Sequence, residues 1–215
     1  MAAPLRIAFL AAVVVGMAAG QSALDPSPVL RGVEKRYNST TTMQANFTQR
    51  LKENGRSRVP ERGVLYLNKK NHQTRWEYTS PAGNFFLSND KFAYDYDKQK
   101  NTVERIPMKE TEDMRVPLSF LLGTLDFNKD FNKFGTSREG ENTVITATPK
   151  NDKLVFKEIT MLIAPDFSIH RVSVLGQDGT TMEYTLEGEQ HNPKLADTLF
   201  HYATPLGAQL VEARN

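Results

Sequence analysis

From Met43 onward the chain alternates. Apolar and polar residues take turns through "MQANFTQRL", "GVLYLNKK", "TRWEYTS", "NFFLS", "FAYDYD" and "TVERIP", and later through "TVITATP", "LVFKEITMLIA", "IHRVSVLG" and "TMEYTLEGE". A period of two marks strands that present alternate side chains to opposite faces. Turn residues separate the segments at short intervals, as at Asn71-His72, Pro81-Ala82-Gly83 and Asn89-Asp90, and "QDGT" supplies a hairpin turn between the last two strands. Many strands without interleaved helices predict a large antiparallel sheet, and a sheet of that size has to curve.

Two stretches break the alternation. Asp25 and Ser27 each precede a proline suited to a first helical position, and Val29, Val33 and Tyr37 then fall on one face with Leu30 beside them. This spacing predicts an amphipathic helix of about three turns ending near Asn38. Further on, "VPLSFLLGTLDF" places Leu118, Leu121, Leu122 and Leu125 at helical spacing behind Pro117. A helix there sits between two blocks of strands and has to cross or cap the sheet.

The N-terminus reads differently from the rest. Arg6, the apolar run "IAFLAAVVVGMAA" and the small residues Ala18-Ala19-Gly20 form the pattern of an export signal over residues 1–20. The run is too short to span a bilayer. The expectation is an exported, soluble chain that starts near Gln21, with residues 21–215 as a single domain. There is no cysteine, which excludes disulfides, thiolate catalysis, cysteine metal sites and a lipid anchor on cysteine. The formal charge is +2 with no basic run, so charge offers no reason to invoke nucleic acid.

Catalysis fits the residues poorly. His72, His170, His191 and His201 lack metal-ligand spacing, and no Gly-x-Ser-x-Gly elbow or phosphate loop is present. Asp95 and Asp97 share one face of a strand, but alternation already accounts for them as its wet side, opposite Phe92, Tyr94 and Tyr96. No enzyme activity, cofactor or metal is expected. What stands out instead is the crowd of large apolar groups on neighbouring strands: Tyr66, Trp76, Tyr78, Phe85, Leu87, Phe92, Tyr94 and Tyr96. A curved sheet gathers many of these on its concave side, either as an ordinary filled core or as the wall of a cavity. Periodicity alone does not separate the two.

Read in order, "FTQR", "GVLYL", "RWEYTSP", "FLSNDKFAYDY", "PLSFLLG", "ATPK" and "FHYATPLGAQLVE" form a succession. It resembles that of the periplasmic outer-membrane lipoprotein carriers over nearly the whole mature chain. The resemblance implies a mainly β fold: an unclosed, strongly curved antiparallel barrel with amphipathic helices as a lid over a hydrophobic cavity. It implies a monomeric periplasmic chaperone that binds the acyl chains of triacylated lipoproteins. The carrier receives them from an inner-membrane ABC transporter and delivers them to an outer-membrane acceptor. On this reading the eight residues above line the cavity, and Val29, Val33, Tyr37, Leu118, Leu121, Leu122 and Leu125 form a lid that rests loosely on it. Where the family carries Arg-Pro before the Trp strand, this chain has Lys70-Asn71, so the lid latch maps to Lys70, a single flexible ammonium in place of a guanidinium fork. The alternative is a periplasmic lipid- or lipoprotein-binding sensor on the same open-barrel shape that regulates a membrane partner. Such sensors carry a further C-terminal domain, whereas this sequence ends at Asn215 soon after its last strand.

Overall fold

The computed structural model describes residues 24–89, 91–108, 124–151 and 156–213. The first helix, α1 (Ser27–Asn38), begins behind Pro26, with Asp25 Oδ1 accepting the Ser27 N–H at 3.0 Å. It buries Leu30, Val33 and Tyr37, with Val29 partly covered beside them, which is the face its spacing predicts. The second, α2 (Phe127–Asp130), is one turn. The sequence stripe that was to end at Leu125 falls mostly outside the described residues, which include none of Leu118, Leu121 and Leu122. Leu125 itself is buried in a non-helical stretch.

Strands make up the rest. In chain order they are β1 (Thr42–Glu53), β2 (Arg56–Ser57), β3 (Glu61–Asn68), β4 (Gln73–Ser80), β5 (Ala82–Ser88), β6 (Phe92–Asp97) and β7 (Thr102–Pro107). After α2 come β8 (Phe131–Glu139), β9 (Asn142–Pro149), β10 (Phe156–Ile163), β11 (Ile169–Gly176), β12 (Thr181–His191) and β13 (Gln209–Glu212). They form a single sheet in the order β13-β7-β6-β5-β4-β3-β1-β12-β11-β10-β9-β8, with the short β2 folded back on β1. The two ends of this path, β13 and β8, do not pair with each other, so the curled sheet is unclosed.

Every neighbouring pair is antiparallel except β13, which runs parallel to β7. The two halves of the chain meet where β1 pairs with β12, from Met43 opposite His191 to Lys52 opposite Thr181. Close approach is demanded at one glycine in particular. A Cβ on Gly63 would lie 2.0 Å from the Glu77 carbonyl oxygen, at the irregularity between β3 and β4.

Alternation sorts the side chains onto two faces. The inner face gathers Met43, Ala45 and Phe47 of β1, Leu65 and Leu67 of β3, Trp76 and Tyr78 of β4, Phe86, Ile145, Ile159, Met161, Val172, Val174, Tyr184 and Leu186. Helix α1 packs into that same cluster through Leu30, Val33 and Tyr37. A second, smaller cluster lies on the other side of β5, β6 and β7. It consists of Leu87, Tyr94, Tyr96 and Val103, with Phe85, Phe92, Tyr202 and Ala208 packed against it. The C-terminal stretch covers it: Phe200 is buried in a 3₁₀ turn (Asp197–Phe200), Tyr202 stacks on Tyr94 with centroids 3.8 Å apart, and β13 then joins β7.

Candidate functional site: the inner face and its helical cover

The inner wall is built around Trp76. Its position in β4 alternates with the outward Arg75 and Glu77, and it is 1% exposed. Phe47 meets it nearly edge-on with centroids 4.8 Å apart, and Tyr184 lies 5.4 Å away on the far side. Tyr78 meets Phe47 edge-to-face at 5.2 Å, and its hydroxyl donates to Gln49 Oε1 at 3.4 Å. These four rings come from β1, β4 and β12, so the wall bridges both halves of the chain.

Of the eight residues singled out in the sequence, the structure brings Trp76 and Tyr78 to this wall. Phe85, Leu87, Phe92, Tyr94 and Tyr96 group on the opposite face beneath the C-terminal stretch. Tyr66 alternates with the buried Leu65 and Leu67 and so points away from the wall too, near Arg75 and Glu77. Burial and the nearby Glu77 carboxylate raise the Tyr66 phenol above its usual range. In β5 it is Phe86, not one of those eight, that faces inward. In β6 the inward position is Ala93, and Asp95 shares its side, the reverse of the wet-face assignment made for that strand. Asp97 caps a turn, accepting from the backbone N–H of Gln99 and Lys100 at 2.9 and 3.2 Å. The Lys100 ammonium 2.9 Å away helps to hold its carboxyl below the ordinary range.

Helix α1 is fastened over this wall by hydrogen bonds at several points. Tyr37 donates its hydroxyl hydrogen to Glu189 Oε1 at 2.6 Å and accepts the Ile169 N–H at 2.8 Å. Burial first, and the Glu189 carboxylate second, push that phenol far above its usual titration range. His191 Nε2 lies 3.1 Å from Glu189 Oε2, and its Nδ1 is 2.7 Å from the Thr40 hydroxyl. On the other flank, Asn38 makes a two-way pair with the Leu125 backbone at 2.9 and 2.7 Å, and Glu34 accepts the Phe127 N–H at 2.8 Å. Gly32 allows the Phe167 ring to lie directly against the helix, where a Cβ would fall 2.3 Å from it.

At the turn where the family resemblance puts a latch, the contact to α1 comes from the residue before Lys70. Lys70 is exposed, whereas Lys69 extends its ammonium to the Tyr37 carbonyl at 2.8 Å, at the C-terminal end of α1 where a cation is favoured. Partial burial lowers the Lys69 pKa. Both lysines sit in the 3₁₀ turn between β3 and β4, and sequence alone does not say which of two adjacent residues in such a turn faces inward.

An open, curled sheet with a continuous apolar inner face and a helix laid over it defines a half-barrel binding fold. The family model described as "Outer membrane lipoprotein carrier protein LolA" matches residues 38–203, and the chain belongs to that family. The outer-membrane lipoprotein carrier protein of Salmonella typhi is 24% identical over 183 residues, covering 85% of this chain and 87% of that one. Among crystal structures, an uncharacterized conserved protein from Thermus thermophilus shares the fold with a TM-score of 0.52 at 17% identity, over 87% of this chain and 98% of the other. A LolA superfamily protein from Nitrosomonas europaea aligns with a TM-score of 0.45 and 9% identity, over 84% and 99%.

Proposed function

We propose that the protein is a periplasmic, non-enzymatic chaperone that shelters the acyl chains of triacylated lipoproteins between its inner wall and α1. On this reading it takes them from an inner-membrane ABC transporter and passes them to an outer-membrane acceptor, and residues 1–20 direct its export. The observation that carries the reading is the family match over residues 38–203 falling on a sheet whose inner face is apolar from β1 to β12.

Magnitudes favour a cover that opens for cargo and otherwise stays shut. Burying Leu30, Val33 and Tyr37 stabilises the closed helix by roughly 5–9 kcal/mol in total. An acyl chain of about fifteen methylenes gains on the order of 12 kcal/mol when fully desolvated. The hydrogen bonds of Glu34, Tyr37 and Asn38 add to that, so one chain is comparable to the cover and a triacylated group outweighs it. Cargo can therefore displace the cover, while thermal motion alone rarely will.

Mass spectrometry of the protein purified gently from the periplasm of its own cell tests the proposal. Co-purifying triacylated peptides are the expected result. A protein that comes away with free lipid or glycan alone, and never with an acylated peptide, would refute it.

A further inference from the structure

One rim of the half-barrel differs from the rest of the surface. β1 ends there, and β2 folds back on it as a small hairpin, Lys52 opposite Ser57 and Glu53 opposite Arg56. Asn54 and Gly55 turn the hairpin with φ of 50° and 75°, and the Arg58 N–H bonds the Leu51 carbonyl at 2.8 Å. This ordered projection holds Val59 86% exposed, flanked by the exposed side chains of Lys52, Arg56, Arg58 and Arg62.

The same rim carries a second apolar tip. Arg62 pairs with Ser80, the Lys98 N–H bonds the Asn84 side chain at 3.0 Å, and Asp97 pairs with Thr102, so the β6–β7 turn lies at the same end of the sheet. Against that turn sits the Pro205–Gly207 bend, closed by the Ala208 N–H on the Pro205 carbonyl at 3.0 Å and fastened by Asn101 Nδ2 on the Gly207 carbonyl at 2.8 Å. It presents Leu206 at 101% exposure, with Lys98 and Lys100 in the adjoining turn.

Two apolar tips at one end, each with cations beside it, stand out on a chain whose formal charge is only +2. The acidic groups at this end include Glu53, Glu61, Asp97 and Asp178, with Asp95 and Glu104 near Lys100; Arg58 and Lys100 are ion-paired with Glu53 and Asp97, and Lys52, Arg56, Arg62 and Lys98 are the cations outside those two pairs. Val59 and Leu206 are the two most exposed large apolar side chains among the described residues, and Leu210 of β13, next to the second tip, is 42% exposed. A protein pocket would need contiguous area, whereas a fluid bilayer accepts separate side chains wherever they touch it. Cations beside such tips complement anionic headgroups. We infer that this rim docks the protein reversibly onto an anionic bilayer surface through Val59 and Leu206, steered by Arg56, Arg58, Lys98 and Lys100. The inference goes beyond the carrier reading and does not require it.

Sedimentation with vesicles tests it, using protein exported by an expressing cell, with no lipoprotein added. The full chain should pellet with vesicles containing phosphatidylglycerol and stay in solution with pure phosphatidylcholine, and high salt should release it. Arg56→Gln with Arg58→Gln should weaken partitioning about thirtyfold. Val59→Asp with Leu206→Asp should weaken it about tenfold or more. All four positions are exposed, so circular dichroism should show an unchanged fold. Variants and parent share one N-terminus, so a difference between them reports the rim. Equal binding to both vesicle types, or variants that bind like the parent, would overturn the inference. So would failure to bind any vesicle while lipoprotein delivery still depends on Arg56 and Arg58, which would assign the rim to an acidic protein partner.

Discussion

Tyr37 shows how one side chain can set a pH limit. Its hydroxyl is buried between Glu189 and the Ile169 amide, and its pKa is raised above the usual value near 10. Above about pH 10 the unfolded phenol loses its proton while the folded one keeps it. The unfolded state then binds fewer protons, so stability falls as pH rises from there. Tyr37→Phe should cost about 1–3 kcal/mol near neutrality through the groups it leaves unpaired. It should also make the alkaline decline shallower by about 1.4 kcal/mol per pH unit, read from urea unfolding at a series of pH values. Parallel curves for parent and variant above pH 10 would contradict this. Tyr37 was legible in the sequence as a helix-face residue, and Trp76 and Tyr78 as one strand face. The inward or outward direction of Phe85, Leu87, Tyr94 and Tyr96 was not. Strand β5 reads "NFFLS", with large apolar groups on both sides, because both sides are covered, and alternation carries no sign when neither face is wet.

At the scale of elements, the C-terminal stretch behaves as a strap. It crosses the outer face of β4 to β7, where the Leu199 carbonyl accepts from Arg75 Nη1 at 3.2 Å and Tyr202 stacks on Tyr94 at an interplanar angle of 11°. A double-mutant cycle with Tyr94→Ala and Tyr202→Ala should give a coupling of about 0.5–1.5 kcal/mol in thermal or urea unfolding. Strict additivity would mean that the strap lies on the sheet without being held by that pair. The strands with clean alternation were legible to within a few residues. β8 was not, because "FNKFGTSRE" carries a bulge between Asn132 and Gly135 and a positive φ at Lys133, which breaks the period. β13 escaped notice as well, being four residues long and largely exposed. The tyrosine and phenylalanine just before it were the available signal, since exposed tails seldom carry Phe200 and Tyr202 so close together.

For the whole molecule, the sequence foretold a large antiparallel sheet but not its path. Pairing β1 with β12 joins residues about as far apart as the fold allows, and no local pattern encodes such a partner. The helix that crosses this seam is the place to ask whether the half-barrel must open. Arg36 and Asp166 approach to 3.5 Å at the flank of α1. Because the chain has no cysteine, Arg36→Cys with Asp166→Cys creates a unique thiol pair for a short, cleavable crosslinker. Locked protein should fail to take up a triacylated lipoprotein in a pull-down, and cleavage of the linker should restore uptake. Undiminished loading of the locked form would show that cargo enters without moving α1.

The gap between β8 and β13 has a further consequence. In a closed barrel, strand number and stagger together fix the diameter, and the lumen has one size. A sheet that never meets itself is under no such rule, and small changes of twist, summed over a dozen strands, widen or narrow it without breaking a single ladder bond. On the carrier reading proposed above, that freedom of girth would suit guests whose fatty tails differ in number and length.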